Sequence, residues 1–114
     1  MHELAIAEEV IALVAARTEG ARVTRVVLEI GRLCAVLPDA MRFCFDLATE
    51  GTVAEGAELE IVEIPGRGRC RGCGSDVALD RPFGRCRCGG SDLEWLTGDE
   101  LRIKEVTLAD RKDV

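Results

Sequence analysis

Four cysteines hold the densest chemistry in this 114-residue chain. Cys70-Arg71-Gly72-Cys73 and Cys86-Arg87-Cys88 form a CxxC…CxC pattern with twelve residues between the pairs. Two short loops of this kind can present four thiolates to one tetrahedral metal ion. Gly72 and Gly74 permit the first turn, and Gly89 and Gly90 follow the second, which is one residue shorter and so tighter. The stretch from Pro65 to Gly90 is rich in Gly, Arg and Cys and poor in aliphatic residues. It has too little apolar surface for a core, so metal binding is expected to fold it. Phe83 and Leu79 are expected to cover the ion. Zinc is the expected metal, and iron is the alternative that thiolate ligation leaves open. Disulfides are disfavoured in a reducing compartment.

A second candidate opens the chain, which begins MHELAIAEE. His2 is the only histidine. A large second residue should prevent removal of Met1, leaving a free α-amine. That amine, the His2 amide and the His2 imidazole can reach one ion, with the Glu3 amide or side chain as a fourth donor. Nitrogen donors in a plane suit Ni(II) or Cu(II), whereas zinc prefers a tetrahedron. A terminal chelate also leaves its metal exposed and easy to hand over. The alternative is a histidine that simply precedes a helix. Cys34 and Cys44 stand apart from both candidates and read as small packing residues.

These groups need a frame. Helical spacing over residues 3–18 places Leu4, Ala7, Ile11 and Val14 on one face, widened by Ile6, Val10 and Leu13. Glu3 early and Arg17 late suit the helix dipole, and Gly20 is a natural stop. Residues 22–33 alternate as a strand, with Val26, Leu28 and Ile30 on one face. Residues 38–49 read as a helix opened by Pro38 and Asp39, with Met41, Cys44, Phe45 and Ala48 sharing a face. Residues 57–64 and 99–108 read as further strands. The expected architecture is α+β: two helices packed on a small three-stranded sheet, with an inserted four-cysteine, zinc-ribbon-like module. Residues 1–64 and 99–114 would form the α/β domain and residues 65–98 the module.

Composition narrows the function. The formal net charge is −6, against a nucleic-acid binder as first choice. Residues 66–88 run the other way, with six arginines against two aspartates. No apolar run approaches the ~18 residues of a membrane span. The N-terminus has acidic residues where a signal peptide needs basic ones, so a cytoplasmic protein is expected. No phosphate-binding GxxxxGK[ST] loop and no nucleophile–base pairing suggests an enzyme.

Taken together, MHELAIAEE, LEIGRL-x4-PDAMRFCF, EGAELEI, CRGC with CRCGG, and TGDELRIKEV resemble the HypA/HybF family of hydrogenase nickel-incorporation proteins. The resemblance spans nearly the whole chain in the same order. It implies a nickel metallochaperone for [NiFe] hydrogenase, and in some bacteria for urease, with a nickel domain and a zinc domain. It places transient Ni(II) on the residues matching Met1, His2 and Glu3, and structural Zn(II) on Cys70, Cys73, Cys86 and Cys88. It implies as partners a nickel-handling GTPase of the HypB family and the hydrogenase large-subunit precursor, with urease maturation proteins in some bacteria, while the acidic charge and the lack of an apolar span argue for no nucleic acid and no membrane. The chain departs from the family pattern in its second knuckle, where CxC replaces CxxC and Arg85 stands at the usual cysteine. Two other readings compete from residues alone. One is a zinc-ribbon module that binds nucleic acid or an acidic partner through its arginines. The other is a thiol redox sensor.

Overall fold

A computed structural model describes residues 3–80 and 84–109. Helix α1 spans Glu3–Thr18 and buries Ala7, Val10, Ile11 and Val14, the i, i+3, i+4, i+7 set of one face. The Thr18 hydroxyl donates to Val14 O at 2.9 Å, and Gly20 follows at φ +83°. The buried stripe is narrower than expected, because Leu4 and Leu13 remain 42% and 51% exposed.

Helix α2 spans Pro38–Thr49. Pro38 supplies the first turn, where its missing N–H costs nothing, and Met41, Phe45 and Thr49 point inward at four-residue spacing. Cys44 and Ala48 are half-buried beside them. The Arg42 guanidinium donates to Leu59 O at 3.1 Å, tying the helix to the strand after it.

Three strands, β1 (Val23–Gly31), β2 (Glu58–Ile64) and β6 (Leu101–Leu108), form a sheet in the order β2-β1-β6. β1 is central, and Val26, Val27 and Leu28 are all buried in succession. An alternating strand was expected here. A central strand covered on both faces instead carries a continuous apolar run. Arg22 O meets Ala109 N and Gly31 N meets Glu100 O, so β1 and β6 are antiparallel. Arg25 pairs with Glu60 and Arg32 N with Ile64 O, the same direction along both strands. β1 and β2 are thus parallel, as the intervening helical crossover requires.

The cysteine stretch has its own sheet, which the glycine-rich texture concealed. β3 (Gly66–Cys70) lies between β4 (Asp76–Leu79) and β5 (Leu93–Thr97), antiparallel to both. Gly66, Gly68 and Cys70 face inward, and Arg67 and Arg69 face out. A methyl at Gly68 would stand 2.9 Å from Leu79 Cδ1, so the glycines are what admit the buried Leu79. The chain divides into two compact units. One takes residues up to 28, 36–61 and from 103 on; the other takes 29–35 and 62–102.

Candidate metal centre

Cys70 ends β3, and the chain must turn at once. Gly74 N donates to Cys70 O at 2.7 Å and Cys70 N to Ser75 O at 2.9 Å, closing the first knuckle. Gly74 sits at φ +80°, a conformation that glycine adopts without penalty. Arg71 braces the turn from outside, its guanidinium on Asp92 Oδ1 at 2.7 Å and its N–H on Asp92 O at 3.0 Å. The second knuckle repeats this logic in fewer residues. Gly89 N donates to Cys86 O and Cys86 N to Gly90 O, both at 2.9 Å. Gly90 N donates to Cys88 Sγ at 3.4 Å. A methyl on Gly90 would lie 3.3 Å from the sulfurs of both Cys70 and Cys88, so glycine there leaves the sulfurs room.

The sulfurs of Cys70, Cys73, Cys86 and Cys88 all lie within 4.8 Å of one another. Cys70 and Cys88 are 3.6 Å apart, and Cys73 and Cys86 3.5 Å. All four are free thiols. A tetrahedral ion with metal–sulfur bonds of ~2.3 Å separates its sulfurs by ~3.8 Å. The cluster is thus sized for one such ion, and the CxC knuckle delivers both of its thiols. Cys70 and Cys86 are buried, while Cys73 and Cys88 face solvent.

The sulfurs are electrically unequal. The Ser75 hydroxyl, then the Ser75 N–H, with the Cys86 and Cys88 thiols adding, pulls the Cys73 thiol down to about 6. At Cys88 the Gly90 N–H favours the thiolate. The Cys70, Cys86 and Cys73 thiols together outweigh it and push Cys88 up to about 11. Negative charge therefore collects on Cys73 before an ion arrives. Ser75 is a contributor that sequence reasoning missed; its only signal was its place just after the Cys-Gly turn.

Of the two residues expected to cover the ion, Leu79 is buried on β4 and Phe83 lies outside the described residues. Cys34 and Cys44 do not join the cluster. The Cys34 sulfur lies 3.4 Å from Asp99 O and 3.3 Å from Glu100 O. Burial pushes this thiol above its ordinary value, with Asp99 and Glu100 adding and the Gly31 backbone opposing. A quiet packing role fits both. Of the N-terminal candidates, Met1 and His2 lie outside the described residues. Glu3 begins α1, and its carboxylate accepts a hydrogen bond from Leu37 N–H at 3.2 Å, at the N-terminal cap of α2.

Residues 1–108 match the family model described as "Hydrogenase/urease nickel incorporation, metallochaperone, hypA". The chain belongs to the HypA family. A hydrogenase maturation factor HypA of Nostoc punctiforme is 56% identical over 108 residues, covering 95% of this chain and 96% of that protein. The HypA of Azotobacter vinelandii is 46% identical over 110 residues, covering 93% and 97%. The solution structure of the Ni metallochaperone HypA from Helicobacter pylori superposes with a TM-score of 0.68 at 24% identity, covering 97% of this chain and all of that one. That likeness carries the fold alone. A second solution structure, of a HypA protein, gives 0.65 at 26% identity over 96% and 97% of the two chains. This HypA-family chain is thus a member of the nickel metallochaperones of hydrogenase maturation, with a four-cysteine metal site. Among the described residues no helix is long and apolar enough to cross a membrane.

Proposed function

We propose that this chain carries Ni(II) on its N-terminus and hands it over during maturation of [NiFe] hydrogenase, while the four thiolates hold a structural Zn(II). The observation that carries this reading is the family match over residues 1–108, which includes both the MHE start and the tetrathiol cluster. The nickel donors are the Met1 amine, the His2 amide and imidazole, and the Glu3 amide. The Glu3 carboxylate accepts a hydrogen bond from Leu37 N–H, which holds the start of α1 where a terminal chelate would form. Residues 1–64 and 99–114 form the nickel domain, and residues 65–98 the zinc module.

The chain is a carrier and not a catalyst. GTP hydrolysis belongs to a HypB-type partner, and the recipient is the hydrogenase large-subunit precursor, with urease maturation proteins as a further route. Transfer takes place in the cytoplasm. A terminal chelate suits this task, because nickel held at a chain end can be passed on without unfolding a cage.

Elemental analysis tests the assignment. Untagged protein is exposed to Ni(II) and desalted beside His2→Ala. The parent should hold one zinc and one nickel per chain, and the variant one zinc alone. Nickel retained by His2→Ala would remove His2 from the site.

A further inference from the structure

The described arginines around the four cysteines divide into two groups by what faces them. Arg67 donates to Asp76 Oδ2 at 3.0 Å, Arg69 lies 3.7 Å from Asp76 Oδ1, and Arg71 meets Asp92 at 2.7 Å. Arg85 and Arg87 form no ion pair with any described residue, and Arg85 only touches Gly89 O at 3.5 Å. Both line a cleft of about 650 Å³ shared with Cys73, Ser75, Asp76 and Cys88. Part of that space belongs to the metal. Val77 and Ala78 also line the cleft, beside two guanidinium groups that no described carboxylate engages.

We propose that this groove binds an acidic protein segment, through carboxylates held by Arg85 and Arg87. A guanidinium presents paired donors that match a carboxylate, and an exposed fork spends little to desolvate. Val77 and Ala78 in the lining offer apolar surface to the methylenes of Glu and Asp side chains. Duplex nucleic acid fits less well. Phosphate tracking needs a run of free cations, and Arg67, Arg69 and Arg71 are already engaged by carboxylates. The competing role for Arg85 and Arg87 is neutralising the filled cluster, since four thiolates leave two negative charges around a divalent ion. That role predicts an effect on metal retention instead of ligand binding.

The test uses the full chain loaded with zinc and a fluorescent hexaglutamate peptide, read by anisotropy at low salt, beside R85Q/R87Q. Zinc content is measured on both proteins. The parent should bind the peptide, and the double variant should bind it about tenfold more weakly or worse while keeping one zinc per chain. Single variants should fall between. Arg102→Gln, which removes a cation paired with Glu29 and absent from the groove lining, should leave peptide affinity unchanged. Three outcomes would overturn the proposal. They are equal peptide binding by parent and R85Q/R87Q; loss of zinc retention in the variant with peptide binding intact; and tighter binding of a duplex of matched charge, or of inorganic phosphate, than of the peptide.

Discussion

The two units of this molecule solve the same problem by opposite means. The unit holding α1 and α2 keeps Phe45, Leu28, Met41, Val14, Val23 and Val26 out of water, with each less than 2% exposed. Its stability comes from apolar area and close packing. The β4-β3-β5 sheet of the cysteine unit has few large side chains to bury. Its β3 strand alternates glycine and arginine, and its buried centre includes Cys70, Cys86 and Leu79. A sheet so poor in apolar surface needs a bond of another kind, and four thiols within 4.8 Å of one another are placed to give a metal four such bonds at one point. One unit is therefore expected to stay folded without metal, and the other to gain its stability from one.

The largest expected effect separates the units outright. Stripping the thiol-bound metal with a strong chelator, or making Cys73→Ser, should unfold the β4-β3-β5 sheet. Structural zinc in small modules is worth about 10–16 kcal/mol of folding energy. Amide exchange at Arg67 and Arg69 should become fast, while the helical circular dichroism signal persists. Helices that melted together with the metal's departure would break the comparison. The converse change is next in size. Phe45→Ala removes a ring that is fully buried and should cost about 3–5 kcal/mol. Thermal unfolding should shift down steeply, and one thiol-bound metal per chain should stay.

Acid sharpens the distinction further. A metal competes with protons for each sulfur, so affinity falls as pH falls. In the metal-free protein Cys73, down to about 6, is already ionised at neutral pH, whereas Cys88, up to about 11, is not. The sign follows from linkage. Protons released on binding come from the higher-lying thiols near neutrality, and below about pH 6 Cys73 adds one more. A plot of log affinity against pH, from competition with a chelator, should steepen below that point. Ser75→Ala should move the break upward. The smallest effect belongs to the surface. Asp76→Asn removes the exposed partner of Arg67 and should change stability by about 0–1 kcal/mol, checked by urea midpoint.

The helices were legible in sequence almost to the residue, since a 3.6-residue period marks both buried face and ends. Met41, Phe45 and their neighbours declare α2, with Pro38 at its start. The sheet of the cysteine unit was not legible. Gly66 and Gly68 hold its inward positions, so the alternation that signals a strand has no apolar residues to carry it. Leu4 and Leu13 misled for the opposite reason: apolar residues at the edge of a stripe look the same in sequence whether or not a neighbour covers them. At the site, the four thiols and their turn glycines could be read directly. Ser75 could not, because its effect depends on where a hydroxyl points.

By itself, then, the sequence determined which elements form and which atoms are available as donors. These depend on local periodicity, on glycine at tight turns and on residue type, all of which act over a few positions. Tertiary structure alone decided that Cys70 meets Cys88 and Cys73 meets Cys86 across the knuckles, and that Cys73 ionises before Cys88. It also decided which arginines are spoken for and which are left facing the groove. Distances between residues far apart in the chain set these outcomes. Electrostatic interaction falls with distance in space, to which separation along the chain is no guide.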